Sequence, residues 1–240
     1  MSAVDRQSKT DVMGFALRPL GEQDIPQSAE IEREAFPGLF PATSFRRELR
    51  NRLARYLVAW RRDDQTVNGG SPGHDPAADA PGESQGDRNP SVLSRLFGGA
   101  QLLLGRRQPA WRPGQQFVAG FLGTWYMPDE AHIVSVGVRK QYRGCGIGEL
   151  LLIGAIEQAV AREEKAVTLE VRESNCVARS LYLKYGFTER GVRKRYYTDN
   201  GEHAVIMTTD PILRPPFQQR FRELAEAHER RWGRADRVLY

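Results

Sequence analysis

Arg143, Gly144, Gly146 and Gly148 stand within six consecutive residues, a spacing suited to holding a phosphate. Three glycines in five positions remove the side chains that would keep a ligand away from the main chain. Their N–H groups, with the first turn of a helix starting near Ile147 behind them, make a concave nest for an anion. Arg143 can add a charge-assisted bond to a phosphate oxygen. Further on, Glu170 lies between Leu169 and Val171, which share an apolar strand face with Val167. Its carboxylate therefore points out of the core, beside Thr168 and Arg172, where it can take a proton directly or through one water. On residue type alone it can equally be a surface glutamate paired with Arg172 or Lys165. Tyr182 lies two helical turns beyond Asn175 on the same side. Its phenol is either a proton donor or a ring packed with Tyr185 against a sheet.

A Walker loop needs Gly-x-x-x-x-Gly-Lys-Ser/Thr, and no Lys-Ser or Lys-Thr follows these glycines. The dinucleotide fingerprint Gly-x-Gly-x-x-Gly puts its third glycine on Glu149. Glu170 stands where a ribose-binding acid would, but no second βαβ repeat follows it. The spacing Arg143-Gly-Cys-Gly146-Ile-Gly148 instead resembles the pyrophosphate loop Gln/Arg-x-x-Gly-x-Gly/Ala of the GNAT acetyltransferases. The runs LEVRESN (Leu169 to Asn175), LYLKYGF (Leu181 to Phe187), RYY from Arg195 and AVIM (Ala204 to Met207) are similar to those of ribosomal-protein-alanine N-acetyltransferases. The resemblance is strong over 117–209, weaker over 14–61, and absent from the other stretches.

The resemblance implies an α/β fold of the α+β type, the GNAT fold, with a mixed central sheet of six to seven strands flanked by helices. It implies acetyl-CoA as co-substrate and no metal. Main-chain groups of Val136, Gly137 and Val138 would pair with the pantetheine arm. Arg143, Gly144, Cys145, Gly146, Ile147, Gly148 and Glu149 would take the pyrophosphate, and Asn175 would touch the cofactor as well as cap its helix. The implied acceptor is the N-terminal α-amine of a protein, a ribosomal protein beginning with alanine. In that setting Glu170 is the base for an ammonium of pKa about 8, and Tyr182 is the acid that protonates a thiolate of pKa about 8.5. The Val138 N–H is an oxyanion donor.

Glu149 departs from the family's usual basic residue. A carboxylate beside phosphates is unfavourable unless it turns away, and stabilising the first helical turn is the better reading of it. Cys145 and Cys176 lie near the expected cofactor, but no histidine accompanies either, so direct transfer is expected rather than an acyl-cysteine. A lysine or small-molecule amine as acceptor, and a non-catalytic acyl-CoA- or RNA-binding module, remain alternatives.

The elements that must position these groups follow from periodicity. Residues 1–13 are polar and expected to fray. Strands are expected over 14–18, 55–61 and 116–126, then along the alternating run that puts His132, Val134, Val136 and Val138 on one face. Asp24, with Gln27 and Pro26, reads as the N-cap of a helix ending before Pro37. Ser44 reads as the cap of a second helix over 45–53. Phe36 to Phe45 is expected either to touch the acceptor or to pack the helix pair. A helix over 147–162 leads into a strand over 166–172 parallel to its predecessor. A helix from Asn175 to Tyr185, stopped by Gly186, precedes strands over 187–197 and 203–209 joined at Asp199-Asn200-Gly201.

One acetyltransferase domain is thus expected from 14–62 and 116–210. Between these, 63–115 is a low-complexity, disordered insertion too poor in large apolar residues to offset its ordering entropy. It carries an apolar stripe over 91–107, read either as a docking helix for a partner or an anionic membrane surface, or as a helix folded onto its own domain or a loose segment broken by Gly98-Gly99. Residues 211–240 are expected to form a basic C-terminal helix that packs on the domain or on a second subunit, or contacts RNA. The chain has 240 residues, 40% hydrophobic, with a formal charge of +5, which suits acidic partners. Two cysteines make no disulfide framework, and a reduced cytoplasm is expected. No apolar run approaches a signal core or a membrane span, so neither is expected.

Overall fold

The computed structural model describes residues 12–38, 42–62, 111–112 and 114–240. The expectations for residues 1–11, for the insertion and for its apolar stripe fall outside these, save the few flanking positions. The elements are β1 (Phe15–Pro19), α1 (Ile25–Ala35), α2 (Phe45–Glu48), β2 (Ala54–Arg61), β3 (Val118–Met127) and β4 (Glu130–Val138). They continue with α3 (Ile147–Ala161), β5 (Ala166–Arg172), α4 (Cys176–Lys184), β6 (Phe187–Arg193), β7 (Ala204–Thr209) and α5 (Pro215–Trp232). Seven strands form one mixed sheet in the order β1-β2-β3-β4-β5-β7-β6, flanked by helices. Only the β4–β5 junction is parallel, because α3 carries the chain back to the starting end of the sheet. Among the described residues no helix is long and apolar enough to cross a membrane.

Both faces of the sheet are buried. On one, Leu57, Leu122, Ile133, Leu169, Val171 and Met207 belong to a core that includes the apolar residues of α3, such as Leu151 and Ile156. On the other, Tyr56, Val58, Val118 and Phe121 pack with Ile31 of α1 and Phe45 of α2. Phe45 is 2% exposed and meets the Phe121 and Tyr56 rings edge-on at 5.2 and 5.8 Å, so it packs the helix pair and does not line an open surface.

The face expected for His132, Val134, Val136 and Val138 is not one face. Thr124 pairs with Ile133 and Gly123 with Ser135, leaving Val134 as an extra residue in β4. A one-residue bulge shifts the pleat by one position. Ala131 and Ile133 before it, and Val136 and Val138 after it, all pack on the α3 side, while Val134 joins the core on the α1 side. His132 alternates with Ala131 and Ile133 and therefore lies on the α1 side too.

Other boundaries move for local reasons. Asp24 holds the N-cap position of α1, as expected, but its backbone is already helical (φ −88°, ψ −14°) and its side chain makes no cap bond. Instead its buried carboxylate takes both ends of the Arg18 guanidinium, at 2.6 and 2.9 Å, and the Gly21 N–H at 2.8 Å. The Gln27 amide bridges to the start of β3, accepting from Val118 N and donating to Gln116 O, both at 2.9 Å. α2 has four residues, short of the expected nine, since the Asn51 side chain takes the Leu53 N–H and turns the chain into β2. β6 stops at Arg193, before Arg195 with its φ of 53°.

α5 packs its apolar side on the domain, with Phe217, Phe221 and His228 buried. Gly233, at φ 86°, then reverses the chain. Its tail runs beside β1: Leu17 N–H donates to Asp236 O at 2.8 Å, and Val238 N–H to Leu17 O at 3.0 Å. The tail so occupies an edge that would otherwise present unpaired main-chain groups.

Candidate active site

β4 and β5 pair only from Glu130↔Ala166 to Ile133↔Leu169. Beyond that, β4 continues to Val138 and β5 to Arg172 with no ladder between them. The bulge at Val134 bends β4 at the point where the pairing ends. A wedge thus opens toward the carboxyl ends of two parallel strands, the usual place for a ligand in an α/β sheet. Val136, Gly137 and Val138 pair with Leu122, Phe121 and Gly120 of β3 on one side. Their other edge borders the wedge, where an extended, amide-bearing chain could add as a strand.

Past Val138 the chain turns through a 3-10 segment, Lys140–Tyr142, and Arg143 donates from Nε to the Val138 carbonyl at 3.1 Å. Gly144 and Gly146 have φ of 79° and 77°, a left-handed backbone that other residues adopt only under strain. Gly146 is the N-cap of α3, and Ile147 buries its side chain, leaving only its main-chain N–H for a ligand. Gly148 is different. It lies in the first helical turn, and a Cβ there would meet nothing nearer than Val138 Cγ2 at 3.8 Å. Cys145 and Cys176 are both free thiols.

The Glu149 carboxylate turns to α4, where it accepts from Lys184 Nζ at 2.6 Å and from Tyr185 OH at 2.7 Å. Burial pushes it up, but these bonds outweigh burial and hold it below the ordinary glutamate value. Asn175 caps α4 as expected, its side chain accepting from Ala178 N at 3.2 Å.

Glu170 lies on the α1 side of the sheet and is 10% exposed. His132 Nε2 is 3.0 Å from its Oε2, and Arg193 donates from Nε to its Oε1 at 2.9 Å. The His132 bond above all, and then Arg193, hold its pKa below the ordinary value against the pull of burial. The surface pairing weighed for Glu170 is not what forms. Arg172 instead binds Asp199 and Glu202 and stacks on Tyr197 at 3.8 Å, and Lys165 binds Asp129. Tyr182 is 8% exposed and lies in the core on the α3 side, its ring 5.6 Å from that of Phe187. Burial, with a smaller push from Tyr197, raises its phenol to about 12. Glu170 and Tyr182 thus occupy opposite faces of the sheet. Among the described residues no three His, Cys, Asp or Glu side chains group as metal ligands.

Two residues absent from the sequence reading of the site, His132 and Arg193, are the ones that touch Glu170. His132 stands opposite Thr168 in the parallel register, two positions from Glu170. An imidazole on a strand near a parallel, glutamate-bearing strand was a signal available beforehand. The bulge that sets its face was not. The α1–α2 connection also meets the β6–β7 connection, since a side chain at Gly38 would strike Asp199. Residues 39–41 of that connection lie outside the described residues.

Residues 92–187 match the acetyltransferase (GNAT) family. A Bacillus subtilis (strain 168) protein, provisionally named a [ribosomal protein bS18]-alanine N-acetyltransferase, is 43% identical over 90 residues, 38% of this chain and 60% of its own. The [ribosomal protein bS18]-alanine N-acetyltransferase of Haemophilus influenzae is 41% identical over 93 residues, again 38% of this chain and 63% of its own. The chain therefore spans about three fifths of the curated relatives it matches. In fold it is similar to the crystal structure of the ribosomal-protein-S18-alanine N-acetyltransferase from Escherichia coli. That likeness has a TM-score of 0.53 at 22% identity and covers 82% of this chain and 94% of the other.

Proposed function

We propose that this chain is a GNAT acetyltransferase, as the match of residues 92–187 to that family supports, and that it moves the acetyl group of acetyl-CoA to the N-terminal α-amine of a cytoplasmic protein. A ribosomal protein with alanine first is the acceptor its relatives' names favour. The observation that carries the reading is the Glu170 carboxylate, held anionic by His132 and Arg193 where the β4–β5 ladder ends.

In this mechanism the pantetheine arm lies along Val136 to Val138, and the pyrophosphate meets Arg143 and the main chain from Gly144 to Glu149. The Glu149 side chain, engaged by Lys184 and Tyr185, contributes its N–H alone. Asn175, at the start of α4, is a further cofactor contact. An α-ammonium of pKa about 8 is already partly neutral near pH 7, so a carboxylate of modest basicity suffices to take its proton. The nitrogen attacks the thioester carbon, and the Val138 N–H stabilises the oxyanion. When the intermediate collapses, the carbon–sulfur bond breaks, sulfur takes the phenol proton of Tyr182, the nitrogen gives its second proton to water, and the phenolate is reprotonated from solvent. A phenol of pKa about 12 stays protonated through the neutral range, and its burial makes it a weaker donor than a free phenol.

The test is acetyl-CoA turnover on alanine-first peptides with free or blocked N-termini, with and without an internal lysine. Turnover confined to free N-termini supports the reading, and acetylation of a blocked, lysine-bearing peptide rejects it in favour of a lysine acetyltransferase. An RNA contact through α5 gains no support from the names of the relatives.

A further inference from the structure

We propose that His228 of α5 is a positioning residue for the phosphate-holding turn: by holding the Gly146 carbonyl it aims the Ile147 N–H out of the N-terminus of α3. The inference rests on the reading of that turn as the CoA pyrophosphate site. His228 is 2% exposed, and its Nε2 lies 3.0 Å from Gly146 O. A carbonyl only accepts, so Nε2 carries the ring proton. Nδ1 is buried with no partner among the described residues, so this one bond orients the imidazole.

The same carbonyl accepts the first bond of α3, from Leu150 N at 2.9 Å. In a trans peptide the C=O and the following N–H point in opposite directions. Gripping the Gly146 oxygen from the core side therefore directs the Ile147 N–H outward, as an anion nest needs. Trp232, one turn beyond His228, covers the same glycine: a Cβ at Gly146 would lie 2.7 Å from its Cδ1 and Nε1. α5 is itself anchored on the end of α4, where Arg220 donates to Lys184 O at 2.9 Å and Phe221 meets Tyr185 at a ring distance of 6.3 Å. All of these α5 residues lie beyond residues 92–187, the segment that matches the family.

The deciding pair is His228→Leu, which fills the space without a donor, and His228→Gln, whose amide restores one. In His228→Leu the KM for acetyl-CoA rises roughly fivefold, the effect of one lost hydrogen bond, and kcat at saturation stays near wild type. In His228→Gln the KM returns toward wild type. Inhibition by pantetheine, which lacks the pyrophosphate, is equal in all three proteins. An unchanged KM in His228→Leu overturns the inference, as does an equal loss of pantetheine affinity, which would mark a general loosening of the fold. Wild-type protein that takes up no CoA overturns the proposed function and this inference with it.

Discussion

Glu170 sits between an imidazole and a guanidinium, and that neighbourhood sets its chemistry. Its pKa is depressed, so it loses its charge only as pH falls below the ordinary glutamate range, near 4.3. Removing the largest cause should reverse the shift: in His132→Ala the acid limb of kcat/KM moves to higher pH than in wild type. A limb that stays in place would separate His132 from the base. Glu170→Gln keeps the shape and loses the proton acceptor, and kcat should fall roughly a hundredfold with little change in CoA affinity. Wild-type turnover in that variant removes Glu170 from the mechanism. That Glu170 lies on the face opposite Val167, Leu169 and Val171 was legible from their alternation, and that this face is also covered was not. Its partners were not, since His132 and Arg193 arrive from strands on either side of β5 and its neighbour β7.

At the level of elements, the turn between β4 and α3 separates two kinds of glycine. Gly146→Ala forces a left-handed residue into contact with Trp232. It should cost about 1–2 kcal/mol, visible as a lower Tm, and should raise the KM for acetyl-CoA. Gly148→Ala has room and a helical backbone, so its Tm should hold or rise by the helix propensity of alanine, about 1 kcal/mol. Any loss of CoA affinity in that variant would then report the approach of ligand to main chain and not folding. The order and type of the elements were readable because each has a local cause: period-two or helical apolar spacing, Asn175 at a cap, Gly186 at a stop. Where an expected side-chain role was lost, another group had claimed the side chain, as Arg18 claims the Asp24 carboxylate. The bulge at Val134 has no sequence signature at all, because it is a property of register between two strands.

For the whole molecule, the C-terminal tail closes the fold on itself. Arg237 joins Glu157 of α3 at 3.0 Å and Glu229 of α5 at 3.1 Å. Burial pushes Glu157 up, and Arg237 only partly offsets this. Arg237→Ala should therefore cost about 1 kcal/mol at pH 7, a modest figure because the pair keeps some contact with solvent. The penalty should shrink as pH falls through the raised Glu157 value, since a protonated glutamate no longer needs the guanidinium. Thermal melts of both proteins across pH 4–7 check it, and a penalty independent of pH would assign the loss to packing instead.

The sequence by itself determined what depends on neighbours along the chain: a left-handed glycine turn before a helix, a carboxylate on the strand face away from its apolar residues, a capped helix carrying a tyrosine. Tertiary structure alone decided what depends on register and on contacts across long separations. It placed His132 on the Glu170 side of the sheet, opened the wedge where the parallel ladder stops, turned Glu149 to Lys184, and brought His228 to a glycine eighty-two residues away. Spacing constrains the torsions of one segment, but a side chain finds its partner only when separate segments are packed to native density.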